Sequence, residues 1–260
     1  MSYIDVHCHI NAEDYGNVFE LLEKIYSAGV KKIITVGFDL PSSNYCKELA
    51  EKYDWVYFTA GYHPTELKNH QKGDLYKIEE LCKHKKCVAV GEIGLDYHYP
   101  DTDKALQKEL FYSQIELANS LKLPVQIHSR DCCEDTLNAV KQNLSKLNNG
   151  AMLHCYSYSV EIAQIFCDMG LYFSFGGTST YKGSKRAQRA IKALPQNRLL
   201  TETDSPYLPP KSIYGTFPNT PISIPEITAN MAAVKEIEEG EMRSQIWQTA
   251  HNFFAKLNDK

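Results

Sequence analysis

The sequence predicts a single domain over residues 1–260 with an α/β fold, a (β/α)8 TIM barrel whose site lies at the C-terminal ends of the strands. Two observations lead to this fold class. A short β-rich run is followed by a helical pattern eight times, and no linker or low-complexity tract interrupts the series. Strict alternation indicates a parallel sheet with helical crossovers, and a chain of 260 residues fits eight such units. The alternative is an open doubly wound sheet.

The predicted strands are short runs dominated by Val, Ile, Tyr, Phe and Leu, the composition that buried parallel strands require. In chain order they cover residues 3–6, 32–36, 56–60, 88–91, 124–127, 151–153, 171–175 and 199–203.

Apolar residues at helical spacing follow the strands. One predicted buried face consists of Leu106, Leu110, Leu117 and Leu121. Ser223 and Glu226 have the spacing of a capping box, with Pro225 in the first turn. A last helix is predicted around residues 241–257. The stretch 205–222 holds five prolines and is predicted to be a long loop, which is often functional.

Composition narrows the class of protein. Apolar residues make up 43%, charged residues 23%, and the net charge is −4, which excludes disordered and duplex-coating proteins but allows an enzyme acting on strand ends. No segment has the length of a membrane span, and the N-terminus lacks the pattern of a signal peptide. We therefore expect a cytoplasmic protein whose eight cysteines are reduced thiols.

Imidazoles and carboxylates follow five predicted strands at their C-terminal ends, the face where barrels of this type keep their active sites. They are His7, His9, Glu92, His128, His154 and Asp204. Four imidazoles and two carboxylates exceed the needs of one tetrahedral ion, so the set predicts two divalent metal ions that share a carboxylate.

Alternation along a strand predicts which way these side chains point. His7 and His9 face the same side, whereas Cys8 between them faces the opposite one. The same period turns three polar residues toward the ligands, and they are predicted to orient the ligand rings through their ring N–H groups. These residues are Asp5, Gln126 and Glu202. Alternatively, they pair among themselves or with water.

Six motifs in this order resemble the TatD family of metal-dependent deoxyribonucleases, which are amidohydrolase-like barrels. The motifs read IDVHCH, AGYHP, VGEIGLDY, QIHSR, LHCYS and TETDSPYL, and the resemblance covers essentially the whole chain. The sequence departs from many members where it reads HCYSY rather than HCFSG, and in the late loop around residues 215–221. Neither departure touches a predicted ligand, so they bear on substrate preference.

The resemblance implies residue roles. One ion would be held by His7, His9, Glu92 and Asp204, and the other by Glu92, His128 and His154. Asp204 would also orient the attacking water or take its proton, and His63 would lie near the substrate phosphate. Asp96, in the GLDY motif, is either a partner of a ligand or a loop cap. The sequence leaves the metals open among Zn, Mg and Mn.

The implied activity is hydrolysis of DNA phosphodiester bonds by a metal-activated water, as a 3′–5′ exodeoxyribonuclease on single-stranded or frayed ends. The alternative uses the same site on another ester or amide, such as an aminoacyl ester on tRNA. RNA is a further expected partner, a monomer is favoured, and a non-catalytic scaffold is disfavoured because every motif ligand is present.

Cations near the site would bind substrate phosphates. The predicted substrate-binding residues are Arg130, Lys182, Lys185 and Arg186, the last three in a cluster after the seventh strand. Alternatively, that cluster is the solvated face of a helix. Tyrosines in the loops after the strands are predicted to stack on unpaired bases or to pack within the loops.

Overall fold

The structure is a computed structural model that describes residues 2–71 and 73–258. Eight strands alternate with helices and form one sheet in the chain order β1 to β8, with parallel pairing, so the predicted (β/α)8 barrel is confirmed. The strands are Tyr3–Cys8 (β1), Val30–Val36 (β2), Val56–Ala60 (β3), Cys87–Asp96 (β4), Val125–Arg130 (β5), Ala151–Leu153 (β6), Tyr172–Phe175 (β7) and Leu199–Thr201 (β8).

The helices fill the intervals between the strands, with α9 and α10 after the last one. They are Ala12–Tyr15 (α1), Val18–Ser27 (α2), Leu40–Lys52 (α3), Asp74–Cys82 (α4), Lys104–Leu121 (α5), Cys133–Gln142 (α6), Val160–Asp168 (α7), Lys185–Ala193 (α8), Ile224–Lys235 (α9) and Glu239–Phe253 (α10). Within the described ranges, none of them combines the length and apolar character needed to cross a membrane.

The chain forms two compact units. The first contains residues up to Thr35 together with Cys155–Asp168 and Tyr172–Asn252. In this unit β7 pairs with β8, and the Thr201 hydroxyl of β8 donates a hydrogen bond of 3.1 Å to the Ile4 carbonyl of β1. The first and last strands therefore lie next to each other.

The second unit contains Val36–His154, with Met169–Leu171 and the residues from Phe253 onward. It holds β3 to β6. Every residue of β4 is buried, and the strand pairs with β5 up to the partners Asp96 and Arg130. The predicted fourth strand ended at residue 91. Because pairing continues beyond that point, Glu92 lies within β4 rather than after it.

The buried face of α5 differs from the predicted one. Of the predicted leucines, Leu110 is buried, Leu106 is exposed, and Leu117 and Leu121 are half-buried. The face that packs inward includes two glutamines. Its buried residues are Gln107, Leu110, Phe111, Gln114, Ile115 and Ala118. A pattern that counts only apolar residues assigns the wrong buried face to α5, because it leaves out the glutamines. Their amides are buried in hydrogen bonds to backbone groups.

The predicted capping box of α9 is wrong. The Ser223 hydroxyl donates to the Asn219 side chain at 2.8 Å, and the Glu226 carboxylate accepts from Ser212 instead of closing back on Ser223. Pro225 does lie in the first turn. The preceding loop folds over the helix start and supplies nearer partners than the helix does. All eight cysteines are free.

Candidate metal-binding clusters

A first cluster gathers His7, His9 and Asp204 in the first unit. The Nε2 atoms of His7 and His9 lie 3.6 Å and 3.5 Å from the same oxygen, Asp204 Oδ1. The two rings stand edge to face, with centroids 5.1 Å apart. As the strand period predicts, both histidines face one side, while the Cys8 thiol is turned toward the Ile34 carbonyl of β2.

The backbone around Asp204 fixes this cluster. The Asp204 N–H donates to the His7 carbonyl at 3.0 Å, and the His9 N–H donates to the Ser205 carbonyl at 2.7 Å. Asp204 itself has a φ of +52°, a left-handed conformation that few side chains other than Asn and Asp adopt readily. The two histidines and the carboxylate are therefore joined through main chain as well as through side chains.

Asp5 supports the same backbone, but not in the predicted way. Its buried carboxylate accepts from the Thr203 hydroxyl at 2.6 Å, from the Thr203 N–H at 3.2 Å and from the His7 N–H at 3.1 Å. Burial raises the pKa of Asp5 to about 8, against the effect of the Thr203 hydrogen bond. Among the described residues, these partners take the place of the expected imidazole N–H because the strand turns Asp5 toward the loop before Asp204.

A second cluster surrounds Glu92 in the second unit. Glu92 Oε1 lies 2.7 Å from His128 Nδ1, 2.8 Å from His154 Nε2 and 3.4 Å from His63 Nε2. The Glu92 side chain is almost fully buried, whereas His63 and His128 remain partly exposed. His128 Nδ1 and His154 Nε2 are only 3.1 Å apart. Three ring nitrogens thus converge on one carboxylate oxygen.

The electrostatics of this cluster favour an ionised carboxylate. Burial alone would raise the pKa of Glu92, but the His154, His63 and His128 rings outweigh it and hold the pKa well below its usual value. Burial lowers the pKa of His63, while for His128 the hydrogen bonds to two carboxylates overcome burial and raise the pKa. Glu92 is therefore available as an anionic ligand at neutral pH.

His128 has a second carboxylate partner, Asp96. Asp96 Oδ2 lies 3.0 Å from His128 Nε2, while Oδ1 accepts from the His98 N–H at 2.9 Å. The sequence left open whether Asp96 is a ligand partner or a loop cap, and the structure shows that it does both. A carboxylate on the outer nitrogen of a metal-ligating histidine fixes the orientation of the ring.

Two glycines set the distance between β4 and β5. A side chain at Gly94, where φ is +146°, would lie 2.1 Å from the His128 carbonyl, and one at Gly91 would lie 2.8 Å from Gln126 Cβ. Only glycine permits this close approach. The close approach allows Gly94 to pair with His128, and this register places His128 Nδ1 2.7 Å from Glu92 Oε1.

Two buried glutamines of α5 hold the loops that carry these residues, and sequence reasoning missed both. The Gln107 amide donates to the Pro64 carbonyl at 3.0 Å and to the Asp96 carbonyl at 2.9 Å, and its oxygen accepts from the Asp96 N–H. Gln114 makes the same paired contact with the N–H and carbonyl of Tyr62. The backbone on both sides of His63 is thereby fixed.

The remaining predicted residues are placed as follows. Glu202 is buried and accepts from the Ser174 hydroxyl at 2.6 Å, and Gln126 is buried in β5. The predicted phosphate-binding cations are exposed, with Arg130 at the end of β5 and the others at or just before the start of α8, namely Lys182, Lys185 and Arg186. They are free of the core and open to solvent.

The donor atoms fit divalent metal ions. In each of two sets, His7 with His9 and Asp204, and His63 with Glu92 and His128, the nitrogen and oxygen atoms lie within 4.8 Å of one another. Imidazole and carboxylate groups that converge in this way are the ligands that Zn and Mn take in proteins. His154 Nε2 extends the second set through its contact with Glu92.

A parallel (β/α)8 barrel with imidazole and carboxylate clusters on its strand ends is the architecture of a metal-dependent hydrolase. The family model described as TatD related DNase matches residues 4–255, and the chain belongs to this family.

Relatives agree with this membership. The chain is 38% identical over 251 residues to the uncharacterized metal-dependent hydrolase YabD of Bacillus subtilis, covering 96% of this chain and 98% of that protein. It is 33% identical to the uncharacterized metal-dependent hydrolase YcfH of Escherichia coli K12, covering 99% and 96%. The crystal structure of YJJV, a TatD homologue from Escherichia coli K12, superposes with a TM-score of 0.91 at 29% identity, covering 97% and 98%.

Proposed function

We propose that this metal-dependent hydrolase cleaves phosphodiester bonds of DNA, as a 3′–5′ exodeoxyribonuclease that acts on single-stranded or frayed ends. The observation that carries the proposal is the presence of two separate donor clusters, one on Asp204 and one on Glu92. Two divalent ions held there would lower the pKa of water and neutralise charge on a phosphate. The description of the family, TatD related DNase, agrees with this substrate.

The exposure of the site residues supports different roles for them. His7 and Glu92 are buried and serve as ligands, whereas the Asp204 side chain is 17% exposed and the His63 side chain is 13% exposed. Asp204 is therefore able to take a proton from the attacking water. His63, whose pKa burial lowers, holds a substrate oxygen through Nε2. The shared ligation of both ions by Glu92 stays a prediction from the resemblance.

The charge of the chain supports a short, unpaired substrate. A protein with a net charge of −4 gains little from the long polyanion of duplex DNA, whereas a few exposed cations suffice for a strand end. Arg130 and Lys182 are two of these cations. We expect the affinity to fall with salt less steeply than for a protein that makes 6–10 phosphate contacts.

The test compares one 5′-labelled linear single strand with its circularised form, at fixed salt and with the metal-loaded protein. We expect a ladder of shortened 5′-labelled products from the linear strand and no cleavage of the circle. Asp204→Asn, which keeps the left-handed backbone, controls for contaminating nucleases. Equal rates on both forms would refute end dependence. If the protein cleaves an aminoacyl ester but neither form of the DNA, the alternative activity is supported and phosphodiester hydrolysis is refuted.

A further inference from the structure

A segment that follows Asp204 exposes an unusual number of large apolar side chains. Of the twelve exposed large hydrophobic residues among those that the structure describes, five lie within residues 207–222, here called the aromatic loop. They are Tyr207, Ile213, Tyr214, Phe217 and Ile222, with Tyr214 75% and Phe217 58% exposed. Groups of exposed apolar side chains are characteristic of binding surfaces.

The aromatic loop is ordered by polar contacts rather than by a core of its own. Buried Asn219 donates from its side chain to the Tyr207 carbonyl at 2.9 Å and to the Thr203 carbonyl at 3.3 Å, and its N–H donates to the Pro206 carbonyl at 2.8 Å. Both ends of the loop are thus tied beside Asp204. A loop held in this way presents its rings at little entropic cost to binding.

The three exposed rings of the loop form two ring pairs, one of them with half-buried Tyr181. Tyr207 and Phe217 have centroids 6.1 Å apart at a tilt of 43°, and Tyr181 and Tyr214 have centroids 5.4 Å apart at 82°. The Tyr181 hydroxyl donates to the Pro209 carbonyl at 2.6 Å, which anchors the second pair to the loop. The first pair is tilted and the second meets edge to face, and the high exposure of Tyr207, Tyr214 and Phe217 leaves much of their ring surface open.

The aromatic loop directly follows the Asp204 of the first candidate cluster and has exposed lysines near its rings. The Tyr207 N–H donates to the Asp204 carbonyl at 3.1 Å, so the first ring pair begins three residues from a predicted ligand. Exposed Lys211 precedes Tyr214 in the loop, and exposed Lys182 follows Tyr181 directly. Aromatic rings interleaved with cations are the pattern that binds unpaired bases and their phosphates.

We propose that the aromatic loop is a subsite for unpaired nucleobases, with the bases on the rings of Tyr207, Tyr214 and Phe217 and the phosphates beside Lys182 and Lys211. This assignment rests on the proposed phosphodiesterase function. It adds the means by which a single-stranded end is recognised without sequence-specific hydrogen bonds, because every base has a face that stacks.

The experiment measures binding of the metal-loaded protein to a fluorescent single-stranded oligothymidylate with hydrolysis-resistant phosphorothioate linkages. We expect Phe217→Ala and Tyr214→Ala each to weaken binding by about 5- to 150-fold, the range of base stacking on aromatic side chains. Phe217→Trp is expected to retain the affinity, whereas Phe217→Leu, which is apolar but has no ring, is expected to lose it. The matched control is Phe19→Ala, because Phe19 on α2 has the same 58% exposure.

A second arm repeats the measurement with an oligonucleotide of equal length whose sugars lack bases. If the rings bind bases, a ring-removing variant tested with the base-free oligonucleotide loses no more affinity than either change causes alone. Unchanged affinity in Phe217→Ala and Tyr214→Ala would overturn the subsite, and so would losses of affinity that add when ring and base are both removed. Cleavage of DNA by the wild-type protein would still uphold the proposed function in that case. A wild-type protein that neither binds nor cleaves DNA would refute the proposed function, and self-association abolished by Phe217→Ala would make a second copy the occupant.

Discussion

The Nε2 atom of His128 lies 3.0 Å from Asp96 Oδ2, on the side of the ring opposite Glu92. The contact orients the His128 ring, because an acceptor on one nitrogen turns the other toward the cluster. We expect Asp96→Ala to weaken metal binding by about 10- to 100-fold. Calorimetric titration of the metal-free protein with Mn²⁺ measures this. Asp131→Ala, which removes the carboxylate beside exposed His98, is the control; equal affinities in both variants would contradict the role of Asp96.

Three imidazoles converge on one carboxylate oxygen of Glu92, Oε1. Glu92→Ala is expected to abolish hydrolysis while the protein stays folded, because the second cluster loses the carboxylate that contacts all three rings. Activity, metal content and circular dichroism are measured together. A variant with near wild-type kcat and the same metal content would show that Glu92 is not a ligand.

Cys8 lies between two predicted ligands, yet its thiol points to the Ile34 carbonyl. We expect Cys8→Ala to keep its full metal content and to lose only about 1 kcal/mol of unfolding free energy, since a small buried group is removed. His9→Ala, one residue away, is expected to lose metal with little loss of stability. Metal analysis of the two folded variants decides between these outcomes, and metal loss in Cys8→Ala would invalidate the alternation argument.

Gln107 and Gln114 make equivalent buried contacts, but only Gln107 holds Asp96. Replacing either by Leu leaves backbone groups without partners, each costing about 1–3 kcal/mol, so both variants should unfold at lower urea concentration. Gln107→Leu is expected to weaken Mn²⁺ binding more than Gln114→Leu does, because Gln107 also holds Asp96, the partner of His128. The same metal affinity in both variants would mean that Gln107 has a structural role alone.

Asp74 stabilises the fold away from the ligands. Its buried carboxylate accepts from the Tyr62 hydroxyl and the Gln71 N–H, both at 2.9 Å, and the hydrogen bond from Gln71 is the main reason that its pKa is lowered. A lowered pKa in the folded state gives stability that is present above the unfolded pKa near 4 and is lost as the pH falls through the folded value.

Asp74→Asn is therefore expected to reduce the free energy of unfolding by about 1.5–3 kcal/mol at pH 7, the size of a hydrogen bond to a charged group, and by less at pH 3. Urea unfolding at the two pH values measures the difference. A loss that is equal at both would show that the charge of Asp74 contributes nothing.

The fold and the convergence of histidines and carboxylates at the strand ends were predictable because they depend on simple periods, whereas the division into two clusters and the place of His63 came from the family resemblance. Strand alternation turns His7 and His9 to one side, and the parallel order of strands brings their C-terminal ends to one edge of the sheet. The failures have equally specific causes. Gln107 and Gln114 look like solvent-facing residues of a helix, and their partners are backbone groups of distant loops, which no local pattern reveals.

The partners of Asp5 and Glu226 were missed for a related reason. Both side chains accept hydrogen bonds from residues that a folded loop brings near, Thr203 and Ser212, rather than from the strand or helix to which they belong. The position of Asp96 depends on the register of β4 against β5, which the closeness of Gly94 to His128 sets. Such contacts follow from tertiary structure and not from spacing.

The hydrogen bonds that Asn219 makes beside Asp204 have a consequence for engineering the loop. Because the Asn219 side chain donates to the Thr203 and Tyr207 carbonyls, the segment between Tyr207 and Asn219 is closed at its base, with both ends held beside Asp204. We expect residues 208–218 to be exchangeable without displacement of the Asp204 carboxylate. Grafting residues 208–218 from a homologue is therefore expected to change substrate selectivity while the metal content stays the same.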